Sequence, residues 1–80
     1  MVEMNVEVKK ALDTRLAAFF VQTASKYKST IKIELENKIV NAKSLMCLIS
    51  LGIDEGCTIK LSADGEDAQV AVEDVASVLS

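Results

Sequence analysis

Eighty residues allow one domain with a modest core, and half of them are hydrophobic, so the chain is expected to fold rather than stay disordered. A formal net charge of -3 argues against nucleic acid as a direct partner, since phosphate binding needs a basic surface. Histidine is absent, which removes histidine-based acid–base catalysis and most zinc chemistry. No apolar run approaches the roughly 20 residues that span a bilayer, so no membrane insertion is expected. Met1-Val2-Glu3-Met4-Asn5 shows no basic segment followed by an apolar one, so no signal peptide is expected and the cytoplasm is the default compartment. Cys47 and Cys57 lack CxxC spacing and a histidine to join them as ligands. They read as two thiols in a reducing compartment, with a disulfide or redox switch as the alternative.

Val2, Met4, Val6 and Val8 alternate with Glu3, Asn5, Glu7 and Lys9, the pattern of a strand with one apolar face. Lys10 to Asp13 is a loop. Asp13 or Thr14 caps a helix expected to run to about Tyr27, with Leu16, Phe19, Phe20, Val21, Ala24 and Tyr27 at helical spacing. Lys28-Ser29-Thr30 breaks it. Ile31, Ile33 and Leu35 alternate with Lys32, Glu34 and Glu36 as a second strand. Asn37 marks a tight turn, because asparagine tolerates the positive φ of hairpins. Lys38 to Asn41 is a short third strand.

The stretch from Asn41 to Gly52 reads as a loop feeding a two-turn helix, with Ser44 as N-cap and Gly52 as a left-handed stop. Leu48 and Leu51 share one side, and Leu45, Met46 and Ile49 share another. One side is expected to be core and the other to remain an apolar patch beside the Ser44 hydroxyl, as binding surfaces often do. A negative charge on Ser44 would sit at the positive end of the helix dipole. Asp54-Glu55-Gly56 is a turn. Cys57, Ile59, Leu61 and Ala63 alternate with Thr58, Lys60 and Ser62 as a fourth strand. Asp64-Gly65 turns the chain, Glu66-Asp67 favours a helix N-terminus, and Ala68, Ala71, Val72, Val75, Ala76 and Leu79 stripe a closing helix. The order is βαββαβα. It predicts an α+β fold whose antiparallel sheet has helices on one face and water on the other. No nucleotide loop or metal set is visible, so neither enzymatic activity nor a cofactor is expected.

With these motifs in hand, the chain resembles the HPr family, the small phosphocarrier proteins of the bacterial phosphoenolpyruvate:sugar phosphotransferase system. The resemblance covers essentially all of residues 1–80 as one HPr-like domain. Val21-Gln22-Thr23-Ala24-Ser25-Lys26-Tyr27 is similar to the family's first helix, and Lys38-Ile39-Val40-Asn41-Ala42-Lys43-Ser44-Leu45-Met46 to its hairpin return and regulatory serine. Ser50-Leu51-Gly52 and Ala63-Asp64-Gly65 fit as well. The resemblance implies an open-faced β-sandwich, a four-stranded antiparallel sheet in order 1-4-2-3 under three helices. Family chains run several residues past the position of Ser80, so a trimmed closing helix is expected.

The departure falls on the phosphocarrier motif Gly-Ile-His-Ala-Arg-Pro. Its matching residues here are Ala11-Leu12-Asp13-Thr14-Arg15-Leu16. The alignment therefore implies that Asp13 replaces the phospho-accepting histidine while Arg15 remains. Asp13 would then be a capping aspartate, a permanent mimic of phosphohistidine, or an acyl-phosphate carrier. The histidine-less, catabolite-repression HPr-like (Crh) branch is similar in keeping the serine. In that branch an ATP-dependent HPr kinase/phosphorylase phosphorylates the serine, and the phosphoprotein serves a LacI-type catabolite control repressor as corepressor. By that resemblance Ser44 is the expected phosphorylation site, and Arg15 the expected partner for a phosphate in a complex. Thr14, Ala18, Leu45, Met46 and Ile49 would be the expected partner-binding residues. Enzyme I and sugar permease domains are the alternative partners, docking without phosphate transfer. The family commonly has glycine at Cys47 and methionine at Ile49, so this patch is bulkier and stiffer than the family's.

Overall fold

The alternating segments form four strands and the stretches of helical spacing form three helices, in the expected order. They are β1 (Val2–Glu7), α1 (Thr14–Ser25), β2 (Thr30–Leu35), β3 (Lys38–Asn41), α2 (Leu45–Leu51), β4 (Thr58–Asp64) and α3 (Ala68–Leu79). The computed structural model describes residues 1–79. All strand pairs are antiparallel and the sheet order is β1-β4-β2-β3. The register sets Val6 opposite Ile59, Leu61 opposite Ile33, and Ile33 opposite Val40. One face of the sheet is thereby apolar. It presents Ile31, Ile33, Ile59 and Leu61 to Phe20, Ala24, Leu48, Val72, Val75 and Leu79 of the helices, all ten buried. The opposite face carries Glu3, Lys32, Glu34 and Lys60, with Lys60 Nζ 3.2 Å from Glu3 Oε2. Ile39, paired with Glu34, is the apolar exception on that side and stays exposed.

Several boundaries differ from the sequence reading, each for a local reason. α1 stops at Ser25 because the Lys26 and Tyr27 N–H groups reach back only three residues, to Thr23 O and Ala24 O at 3.3 Å each, tightening the last turn. Phe19, placed in the apolar stripe by spacing, is 55% exposed. It lies about 100° round the helix from the buried Phe20, and Ala17 takes the inward position instead. The β2–β3 turn uses Glu36 (φ 50°) as well as Asn37 (φ 69°), two successive left-handed residues whose twist suits a two-residue hairpin. Cys57 precedes β4 rather than opening it. Its carbonyl accepts from Val8 N at 2.8 Å, continuing the β1 edge past the strand itself.

α3 is fastened to the α1–β2 connection by two carboxylates seven residues apart. Asp67 accepts from Lys28 N (2.9 Å), Ser29 N (3.0 Å) and Ser29 Oγ. Asp74 accepts from the Tyr27 hydroxyl and lies 3.6 Å from Lys26 Nζ. The Ser29 hydroxyl above all, with the Lys28 N–H next, holds the Asp67 carboxyl below its ordinary pKa. The bond to Asp74 pushes the Tyr27 hydroxyl above its ordinary value. Gly65 (φ 155°) lets β4 turn into α3 directly against Ser29.

Candidate functional site

Asp13 rather than Thr14 caps α1. Its backbone is extended, its Oδ1 accepts from Leu16 N at 2.8 Å, and its carbonyl accepts from Ala17 N at 2.8 Å. Thr14 and Arg15 are exposed on the first turn and Ala18 is half-buried. Arg15 makes no hydrogen bond or ion pair among the described residues, so its guanidinium is open to a ligand. Lys10, Ala11, Asp13, Arg15, Leu16 and Phe19 line a shallow groove here. Phe19 supplies its apolar wall. Sequence reasoning had assigned that ring to the core.

The Ser44 segment is built by a turn around Asn41. Asn41 Oδ1 accepts from Lys43 N (2.9 Å) and Asn41 O accepts from Ser44 N (3.1 Å), which sets Ser44 in extended conformation ahead of α2. Ser44 Oγ then accepts from Cys47 N at 3.4 Å, a long and therefore weak cap. Gly52 ends α2 at φ 71° with its N–H on Ile49 O. Of the two sides of α2, the one carrying Leu48 and Leu51 is buried. Met46 is 73% and Ile49 43% exposed, while Leu45 is half-buried. A second groove runs between β3 and α2, lined by Lys38, Val40, Met46, Cys47, Ser50 and Leu51.

The two halves of the expected site flank two packed helices, α1 and α2. Before α1, Leu12 N donates to Ile53 O, just after α2, at 3.2 Å. Before α2, Lys43 Nζ donates to Tyr27 O, just after α1, at 2.8 Å. Asp13 is therefore near the end of α2, and Ser44 near the end of α1. The 12 residues of α1, about 18 Å of helix, run between the Asp13 end and the Tyr27 end. No residue lines both grooves. The structure thus does not gather Asp13, Arg15 and Ser44 into one pocket. Asp13 and Arg15 stand at the start of α1, and Ser44 stands at the start of α2. Lys43 is a component that sequence reasoning passed over. Only its place beside the serine could have drawn notice. Among the described residues no cluster of three or more histidine, cysteine or acidic side chains could hold a metal ion. Among the same residues no helix is long and apolar enough to cross a membrane.

The family model described as "PTS HPr component phosphorylation site" matches residues 2–80. The HPr-like protein Crh of Halalkalibacterium halodurans is 52% identical over 75 residues, covering 91% of this chain and 89% of that protein. The HPr-like protein Crh of Bacillus subtilis is 46% identical, covering 96% and 93%. Among solved structures, the phosphocarrier protein HPr of Bacillus anthracis is 41% identical and superposes with a TM-score of 0.94, covering 99% of this chain and 96% of its own.

Proposed function

Since this chain belongs to the HPr family of the phosphotransferase system and contains no histidine, we propose that it is a regulatory binding module rather than a phosphocarrier. Asp13 occupies the active-histidine position and caps α1. Ser44 is the phosphorylation site of an HPr kinase/phosphorylase. In the transfer the Ser44 oxygen bonds to the γ-phosphorus of ATP, the bond from that phosphorus to the bridging oxygen breaks, ADP leaves, and the hydroxyl proton passes to a base on the kinase. The phosphoprotein then serves a LacI-type catabolite control repressor as corepressor in the cytoplasm. Thr14, Arg15 and Ala18 with Leu45, Met46 and Ile49 form the contact surface.

The observation that carries this reading is Ser44 itself. The residue is half-buried, its hydroxyl makes only the 3.4 Å cap bond, and it precedes the helix that carries the exposed Met46 and Ile49. An exposed apolar pair beside a nearly free acceptor gives a kinase both an anchor and a target. Intact-mass measurement after incubation with HPr kinase and ATP, with the site mapped by fragmentation, tests it. One phosphate on Ser44 is the expected result. An unmodified protein beside a modified control HPr would overturn it and leave docking on enzyme I or permease domains as the surviving role.

A further inference from the structure

Lys43 immediately precedes Ser44, yet its ammonium is turned away to the carbonyl of Tyr27 at 2.8 Å. Tyr27 is a junction. Its N–H donates to Ala24 O inside the last turn of α1, its carbonyl accepts from Lys43, and its hydroxyl donates to Asp74 of α3. The neighbouring Lys26 is engaged with the same Asp74. Lys43 is thus the cation nearest in sequence to Ser44, and its present acceptor is a neutral carbonyl. A phosphoserine carries about -1.5 to -2 charges and three strong acceptor oxygens, so it draws an ammonium by net charge as well as by hydrogen bonding, where a carbonyl offers only its dipole. Adjacent Cα atoms lie about 3.8 Å apart, so the four-carbon lysine stem brings its ammonium within reach of the next side chain.

We infer that Lys43 is the built-in counterion of phosphorylated Ser44, and that by moving to the phosphate it releases the Tyr27 carbonyl and slackens the α1–α3 junction. This rests on the reading of Ser44 as an acceptor and names the means by which its phosphate is felt elsewhere. The signal leaves α2 through one side chain, passes through the end of α1, and reaches α3 at Asp74. No shift of the sheet is required.

The test uses the full 80-residue chain made by chemical synthesis with phosphoserine at position 44. It therefore does not depend on any kinase, and a failed kinase reaction would leave it untouched. The phosphate's second ionisation is followed by phosphorus NMR in the parent sequence, in Lys43→Gln and in Lys43→Arg. A cation about 5 Å away through water lowers that pKa by roughly half a unit. The expected result is a lowered value in the parent and in Lys43→Arg, and a value about half a unit higher in Lys43→Gln. Tyr27 is the one tyrosine and tryptophan is absent, so tyrosinate absorbance reports the second step cleanly. Phosphorylation should bring the Tyr27 titration down towards its ordinary value in the parent and leave it unmoved in Lys43→Gln. Equal phosphate pKa values in parent and Lys43→Gln would overturn the counterion. An unmoved Tyr27 titration in the phosphorylated parent would overturn the release.

Discussion

Gly65→Ala tests whether the approach of β4 to the α1–β2 connection is as tight as it looks. A Cβ at Gly65 would lie 2.6 Å from Ser29 Oγ, 2.7 Å from Ser29 Cα and 3.0 Å from Ser29 Cβ. Ser29 is fully buried and cannot swing aside, because its N–H and hydroxyl are both held by Asp67. The residue also sits at φ 155°, where a side chain adds backbone strain of order 1–3 kcal/mol. Overpacking against an immobile neighbour adds about 1–3 kcal/mol more. Together these come to about 2–6 kcal/mol, and even about 3 kcal/mol is a large part of the 5–15 kcal/mol that holds a typical domain together. At roughly 4–8 °C per kcal/mol for a domain of this size, Tm should fall by about 12–24 °C. Gly56→Ala is the control. Gly56 also has positive φ (93°) but nothing lies within 4 Å of its would-be Cβ, so only the backbone strain applies. Ser29→Ala should not rescue Gly65→Ala, since Ser29 Cα remains in the way. Thermal melts followed by circular dichroism decide the matter. If the two glycine variants melt together, the steric argument is wrong.

Asp13→His should lower Tm by about 4–8 °C, because losing a good N-cap costs about 1 kcal/mol. If Asp13 does hold the active-histidine position, the same variant should accept phosphate from phosphoenolpyruvate and enzyme I; labelling of the unmutated protein would instead favour an acyl phosphate on Asp13. Asp67 has a lowered folded pKa, so its stabilisation is present above the unfolded carboxylate value near 4 and disappears as the pH falls through the folded value. The stability gap between parent and Asp67→Asn in denaturant titrations should therefore close below about pH 4 and stay open at neutral pH. Tyr27 runs the opposite way. Its folded pKa is raised, so its contribution is present below about pH 10 and disappears as the pH rises through the folded value, and Asp74→Asn should bring its absorbance titration back towards that value.

Alternation and helical spacing carried most of the architecture because they report which face of each element meets the core. Spacing separated Leu48 and Leu51 from Leu45, Met46 and Ile49 and required one side to be core; the burial shows that Leu48 and Leu51 take it and that Met46 and Ile49 are exposed. Phe19 escaped because the stripe drawn by helical spacing was too wide, taking in Phe19 beside Phe20, about 100° apart, when only Phe20 faces the core. What the pattern does not encode is which polar groups meet across the fold. Asp67 read as a helix-dipole residue, whereas its main partners are Lys28 and Ser29, 39 and 38 positions away. Tyr27 and Asp74 are 47 apart in sequence. Lys43 gave no periodic signal, being a single charge in a turn, although it ties the Ser44 segment to the end of α1.

α2 explains why one hydroxyl can matter so much. Isolated helices shorter than about 12–15 residues are marginal in water, and α2 has seven. Two buried leucines, a glycine stop and a stretched cap hold it, and Met46 and Ile49 stay in solvent. Such an element sits near its own melting balance, so small free energies at Ser44 change how firmly Met46 and Ile49 are presented. A phosphate there strengthens the first turn through its charge and its acceptor oxygens. It simultaneously puts a dianion beside the apolar pair, which favours a partner whose groove carries a cation next to an apolar pocket. The same modification thus both firms the helix and changes which surface it fits.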